Sequence, residues 1–123
     1  MNNLLWSDGG GSGVGLTVQN APGAWGNSSG DAMYDTYIYT YGANATVTLT
    51  GLPAGTYDLY LYGHGAADWQ NGVFQVTSGG SYLGQQATST TLPYHSAVWA
   101  EGRQYVVYRD ATEIGRASCR ERV

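Results

Sequence analysis

The amino-acid sequence predicts an all-β domain, built as an antiparallel β-sandwich of the jelly-roll type. Short runs rich in Val, Tyr and Thr alternate with clusters of Gly, Asn and Pro, which is the pattern of sandwiches and barrels. No segment shows the helical period of apolar residues. We assign residues 14–112 to this domain, which is enough chain for one hydrophobic core, and we expect residues 1–13 to form a flexible segment.

The first half of the domain contains two candidate strands and one long loop. Ser7–Gly13 is linker-like because of its glycines, and Val14–Val18 (VGLTV) is the first strand. Asn20–Asp31 is a polar loop that carries an exposed Trp25. Tyr34–Tyr41 (YDTYIYTY) alternates like a strand, but both of its faces carry Tyr or Ile, so its buried face stays open.

A β-hairpin is expected over residues 46–62. Thr46–Thr50 has the cleanest period of two, with Val47 and Leu49 inward and the threonines outward. Gly51–Gly55 (GLPAG) predicts a tight turn, because proline presets one dihedral angle and glycine supplies a positive φ. Thr56–Tyr62 then returns as the partner strand.

Three more strands are expected in the second half of the domain. Val73–Thr77, Ala97–Ala100 and Tyr105–Tyr108 are short and rich in β-formers. The last of these should lead into a further turn and strand beyond Arg109.

The final residues, Ile114–Val123 (IGRASCRERV), resemble the translation of a common short-read sequencing adapter. This resemblance implies a non-native tail over residues 113–123, a domain incomplete at its C-terminus and a gene fragment assembled from environmental DNA. We therefore expect the tail to be unpacked and the last strand before it to lack a neighbour. The alternative is a natural basic tail. Cys119, the only cysteine, lies in it, so the rest of the chain has no disulfide.

Charge argues against two classes of partner. Through Thr112 the chain has seven acidic residues against Arg103 and Arg109, and it contains no lysine. Such a surface repels phosphate backbones and anionic lipid, so we expect no nucleic-acid partner and no membrane insertion. The composition, rich in Gly, Thr, Ser, Asn and Tyr, is typical of secreted bacterial β-proteins. We expect an extracellular or cell-surface location.

Several motifs resemble a recurring module of large secreted proteins from environmental bacteria. They are Gly51–Gly65 (GLPAGTYDLYLYGHG), Asp68–Val76 (DWQNGVFQV) and Glu101–Asp110 (EGRQYVVYRD), joined upstream by Asn20–Asn27 and Gly30–Tyr39. Such modules are similar to galactose-binding-like β-sandwiches and have no established catalytic residues. Complete copies end in two more strands, which this chain lacks. The resemblance implies a domain type and not a reaction.

Candidate ligand-binding residues cluster around the loop that follows the expected hairpin. An aromatic face beside Asp and amide side chains suits a sugar, whose apolar face stacks while its hydroxyls are hydrogen-bonded. The alternative is a loop whose tryptophan covers the core edge. Alternating tyrosines, Tyr37, Tyr39 and Tyr41 or Tyr60 and Tyr62, form either a stacking platform or ordinary cross-strand pairs. The expected binding residues are Trp25, Tyr62, His64, Asp68, Trp69 and Asn71.

Catalysis and metal binding find little support in the sequence. His64 and His95 are the only histidines and have no metal-ligand spacing. Calcium at Asn27–Asp31 with Asp35 is a weaker possibility, because the spacing departs from the regular calcium loop. No nucleophile elbow occurs, and Asp58 and Asp68 give no sign of converging.

The sequence therefore favours a non-catalytic carbohydrate-binding or adhesive module of a larger secreted protein. Its expected partners are a polysaccharide or cell-surface glycan and the neighbouring domains of the parent protein. A purely structural spacer is the alternative, and a small hydrolase or metal-dependent oxidase ranks below both.

Overall fold

The computed structural model describes residues 1–26, 30, 32, 35–63, 70–89, 99–113 and 116–122, the last seven and residue 113 by their backbone alone. These residues form an all-β antiparallel fold, as the sequence predicts. No described helix is long and apolar enough to cross a membrane. The strands are β1 (Gly15–Gln19), β2 (Gly23–Gly26), β3 (Thr36–Tyr39), β4 (Ala45–Thr50), β5 (Gly55–Tyr62), β6 (Val73–Ser78), β7 (Ser81–Ala87), β8 (Tyr105–Glu113) and β9 (Arg116–Arg122).

Three antiparallel sheets are built from these strands. The largest has five strands in the order β1-β4-β9-β6-β7, while β5 pairs with β8 and β2 pairs with β3. The expected strands at 14–18, 73–77 and 105–108 are confirmed as β1, β6 and β8. Of the expected strand 34–41, residue 34 lies outside the described residues, and β3 is the part that is paired among the others. The expected loop 20–31 contains β2, and β7 was not foreseen.

The core lies between the β5–β8 pair and the β6–β7 side of the large sheet. Phe74 and Val76 of β6 contact Val106 and Tyr108 of β8, and all four are buried. The partly buried residues around them are Leu59, Leu61 and Leu83. Because strand side chains alternate between faces, this packing leaves the opposite face of β5–β8 directed away from the core.

The expected hairpin over residues 46–62 is wrong. β4 pairs with β1 and β9, whereas β5 pairs with β8, so Gly51–Ala54 connects two layers instead of two neighbouring strands. The turn itself is as expected, since Gly51 has a φ of +72°. A Cβ there would also lie 2.8 Å from the carbonyl oxygen of Gly13. Alternation predicts strands, but the choice of partner depends on packing over the whole chain.

The expected burial pattern of β4 and one expected strand also differ from the structure. Thr46 and Thr48 are partly buried, as Val47 and Leu49 are, because β4 has neighbouring strands on both sides. Of the expected strand 97–100, residues 97 and 98 lie outside the described residues, and Trp99 and Ala100 belong to no strand.

Residues 1–13 fold back along β1. The amino group of Met1 donates to the carbonyl of Leu16 at 2.8 Å, and the N–H of Leu4 donates to the carbonyl of Val14 at 2.8 Å. Ser12 returns a backbone hydrogen bond to Leu4 at 2.9 Å. These hydrogen bonds place the segment beside the sheet, and its expected flexibility stays a prediction.

The expectation of an unpacked tail is wrong. Arg116–Arg122 is β9, the central strand of the large sheet, and it pairs with β4 on one side and β6 on the other. The physical reason is that ladder hydrogen bonds join main-chain groups, so two open strand edges accept an extended segment whatever its side chains. β8, in contrast, pairs along one edge only among the described strands.

Removal of the Tyr108 hydroxyl should destabilise the domain. This hydroxyl lies 2.9 Å from the carbonyl of Phe74 and 3.1 Å from that of Gly84, so it joins β8 to β6 and β7. We expect Tyr108→Phe to lower the free energy of unfolding by about 0.5–1.5 kcal/mol, measured by urea denaturation. Tyr82→Phe is the matched control, since Tyr82 is 60% exposed on β7. Equal effects of the two substitutions would contradict this role.

Proline at the centre of β9 should disrupt the large sheet. Ser118 pairs with Thr48 and Thr77 on its two sides, and proline removes a backbone donor from a central strand. We expect Ser118→Pro to lower the free energy of unfolding by about 3 kcal/mol or more, whereas Ser118→Thr keeps the N–H and is tolerated. Thermal unfolding monitored by circular dichroism compares them. A Ser118→Pro protein as stable as the parent would show that β9 contributes nothing.

Candidate functional site

The outer face of the β5–β8 pair, which points away from the core, carries the main cluster of aromatic and charged residues. Register fixes this arrangement, because directly opposed residues share a face. Leu59 opposes Tyr108 and Leu61 opposes Val106 on the core side. On the other side, Tyr60 opposes Val107 and Tyr62 opposes Tyr105.

Four rings form what we call the aromatic face: Tyr60, Tyr62, Trp99 and Tyr105. The ring centroid of Tyr105 lies 5.9 Å from that of Tyr60 and 5.7 Å from that of Tyr62. Trp99 meets Tyr62 edge to face at 5.4 Å. These distances are within the range of favourable aromatic pairs. Tyr60 is 52% exposed, so its ring is the one that solvent reaches most readily.

A tight turn places Trp99 and its neighbours beside this face. Gly102 adopts a φ of +80°, and its N–H donates to the carbonyl of Tyr105 at 2.8 Å. Inside the turn, the buried side chain of Gln104 accepts the N–H of Ala100 at 2.9 Å. The turn thereby returns the chain into β8 with Trp99 against Tyr62 and Glu101 near the strand.

A β-bulge adds charged residues to the outer face. Tyr57 opposes Ala111 and Leu59 opposes Tyr108, so Asp58 alone faces both Arg109 and Asp110. The N–H of Asp110 donates to Oδ1 of Asp58 at 3.1 Å, and Asp110 adopts a φ of +55°. Bulges redirect side chains in this way next to many binding sites. Both Arg109 and Asp110 are exposed.

An ion pair completes the site. The guanidinium of Arg109 contacts Glu101 with both terminal nitrogens, Nη1 to Oε1 at 2.8 Å and Nη2 to Oε2 at 2.6 Å. The hydrogen bond from Arg109, followed by its charge, lowers the pKa of Glu101. The pKa of Arg109 is raised, first by that hydrogen bond and then by the charge of Glu101, with smaller contributions from Tyr60 and Asp58.

A second aromatic surface lies on the β2–β3 ribbon. Trp25 opposes Tyr37, and Tyr39 opposes Gly23, so these four residues share one face. The ring of Tyr39 covers Gly23, where a Cβ would lie 2.7 Å from the Tyr39 hydroxyl. Trp25 is 63% exposed, which agrees with the exposure expected from the sequence. Its position in a strand does not agree with the expected loop.

Three of the six binding residues expected from the sequence lie among the described residues. Trp25 belongs to the ribbon, Tyr62 belongs to the aromatic face, and Asn71 is a partly buried residue just before β6. The remaining three, His64, Asp68 and Trp69, lie outside the described residues. So do His95 and most of the proposed calcium loop, of which Gly30 donates its N–H to Oδ1 of Asp35 at 2.9 Å. Among the described residues, no group of three or more His, Cys, Asp or Glu side chains is arranged to hold a metal.

The base of the loop 64–71 is held close to the aromatic face. Gly72 donates its N–H to the carbonyl of Gly63 at 3.1 Å, and the buried hydroxyl of Thr88 donates to the same carbonyl. A Cβ on Gly63 would lie 2.6 Å from Cζ of Phe74, so only glycine fits there. Because Gly63 directly follows Tyr62, the loop starts at the end of the aromatic face.

Sequence reasoning missed Trp99, Glu101, Tyr105 and Arg109 as site residues. Tyr105 and Arg109 are two alternation steps apart, and this spacing was a signal in the sequence, although the expected strand ended at Tyr108. The Glu101–Arg109 contact has no local signal, because it depends on the turn at Gly102 and on the bulge.

The bulge residue should tolerate only side chains suited to a left-handed backbone. Asp110 has a positive φ, which Asn also adopts readily and β-branched residues do not. We expect Asp110→Val to lower the free energy of unfolding by about 1–2 kcal/mol, while Asp110→Asn changes it little. Chemical denaturation of both variants tests this. If Val were accepted as readily as Asn, the bulge would not have the backbone described.

No family model, no curated protein and no solved structure matches this chain. The resemblance to galactose-binding-like modules therefore stays a prediction from the residues quoted above. Function has to be argued from the geometry of the aromatic face and its ion pair.

Proposed function

We propose that this domain is a non-catalytic carbohydrate-binding module, and that its binding surface is the outer face of β5–β8. The proposal depends on one observation: the half-exposed ring of Tyr60 lies beside the ion pair that Arg109 and Glu101 form through two hydrogen bonds. Tyr60 packs against Tyr105, and Arg109, held by Glu101, lies two positions along β8 from Val107, the residue that opposes Tyr60. An apolar surface next to oriented polar groups is what a sugar ring requires.

Each part of this surface has a separate role in the proposal. The ring of Tyr60 stacks on the C–H face of a pyranose. Tyr105 packs against the Tyr60 ring, and Tyr62 packs against Tyr105, so the two hold the Tyr60 ring in place. Arg109 donates to sugar hydroxyls and Glu101 accepts from them. Because Tyr62 and Trp99 extend the aromatic face toward Gly63, further sugar units of a polymer lie along it in that direction.

The state of the nearby carboxylates favours binding over hydrolysis. Glycoside cleavage by paired carboxylates requires one carboxyl with a raised pKa to act as an acid. Here the pKa of Glu101 is lowered instead, and both of its oxygens contact Arg109. Asp58 accepts the N–H of Asp110 and so stabilises the bulge. In this proposal, Glu101 holds the Arg109 side chain in position and Asp58 holds the bulge in position.

The setting that we propose is extracellular or on the cell surface, within a larger secreted protein. The lysine-free, acidic composition and the motifs similar to galactose-binding-like modules support it. A jelly-roll arrangement is the finer fold that we propose for the intact domain. A surface of exposed aromatic rings suits attachment to an insoluble or cell-bound glycan, where many weak contacts act together.

Loss of the Tyr60 ring should abolish most of the binding. We expect Tyr60→Ala to weaken polysaccharide affinity by about fivefold or more, since an aromatic contact is worth about 1 kcal/mol or more. Affinity electrophoresis in gels that contain soluble polysaccharides measures this. Tyr82→Ala is the matched control, because Tyr82 is as exposed but lies on β7 of the other sheet.

A third variant separates this surface from the ribbon. Trp25→Ala should leave affinity unchanged, because Trp25 lies on the separate β2–β3 sheet. A loss with Trp25→Ala but not with Tyr60→Ala would move the site to the ribbon. A folded parent protein that binds no polysaccharide would favour the spacer function instead.

A further inference from the structure

The glycan surface, if it binds as proposed above, has a charge pattern that selects its ligand. Near Tyr60 the bulge and the turn bring together one guanidinium, that of Arg109, and two carboxylates, those of Asp58 and Glu101. The chain as a whole has a net charge of −4. A sugar polymer that approaches this face therefore meets a negative potential.

Arg109 is already paired, which decides what it can recognise. Glu101 occupies one side of the Arg109 guanidinium with contacts at 2.8 and 2.6 Å. A uronate or sulfate ligand that used the remaining N–H groups of Arg109 would therefore lie close to the Glu101 carboxylate. Like charges at such distances repel, so the pair disfavours an acidic sugar even though it contains an arginine.

The same pair suits neutral hydroxyl groups. A guanidinium has five N–H donors, and a carboxylate oxygen has more than one acceptor position, so both groups keep capacity after pairing. The side chains of Arg109 and Glu101 are 55% and 40% exposed, and a ligand therefore reaches both. A vicinal diol accepts from one and donates to the other without breaking the ion pair.

We infer that the ligand of this face is a neutral hexopyranose polymer, bound through a vicinal diol by the intact Glu101–Arg109 pair beside the Tyr60 ring. This inference rests on the proposed carbohydrate-binding function. It assigns Glu101 a direct role in recognition, as the acceptor of a sugar hydroxyl. Arg109 neutralises the charge of that carboxylate and donates to a sugar hydroxyl, and it does not act as an anion receptor.

Whether Glu101→Gln weakens or strengthens polysaccharide binding tests the inference. The full chain is titrated with neutral polymers (xyloglucan, galactomannan, mixed-linkage glucan) and with anionic ones (polygalacturonate, alginate, dextran sulfate). We expect binding in the neutral set alone, unchanged between low and high salt. Glu101→Gln should weaken it by about three- to tenfold, the size of one lost hydrogen bond, and Arg109→Gln by a similar factor.

An anion site would give the opposite pattern. Removal of the Glu101 charge would then free Arg109, so Glu101→Gln would strengthen binding to an anionic polymer, and salt would weaken it. Either result overturns the inference while leaving the proposed function standing. Binding to none of the six polymers would overturn the proposed function and this inference with it. Thermal unfolding of both variants, whose side chains are exposed, verifies that they fold.

Discussion

The rest of the structure depends on β8, because this single strand supplies the core on one face and the candidate site on the other. Its edge away from β5 would leave buried carbonyls without partners, which is costly in a protein interior. Side chains from the large sheet donate hydrogen bonds to carbonyl groups along this edge. Gln86 donates to the carbonyl of Val107 at 2.9 Å, and Ser78 donates to that of Thr112 at 2.8 Å. The Tyr108 hydroxyl adds its contacts to Phe74 and Gly84.

These contacts fix the position of β8 against the large sheet. The bulge is needed because two buried residues of β8 must both face that sheet. Tyr108 and Ala111 are both buried, yet they are three residues apart, so regular alternation would direct one of them outward. The extra residue at Arg109–Asp110 resolves this conflict and leaves two consecutive charged residues on the outer face. The local geometry of the site thus follows from a packing requirement of the core.

The fold class and most strands were predictable, because alternation and turn residues are local signals. The partner of each strand was not. The segment around Gly51 has every mark of a hairpin, but β4 and β5 belong to different layers. β7 was missed because SYLGQQA has neither clear alternation nor β-branched residues. Of the site, Tyr62 was predicted from the aromatic run, whereas Glu101 and Arg109 meet through a turn and a bulge that no local pattern encodes.

β9 lies at the centre of the large sheet although its sequence resembles an adapter translation. β4 and β6 each present a row of main-chain donors and acceptors, and β9 pairs with each of them through six of its seven residues. That pairing requires extended backbone and little from the side chains. A segment that resembles an adapter translation is therefore physically able to occupy the centre of this sheet. Its central position indicates that β4 and β6 require a strand between them.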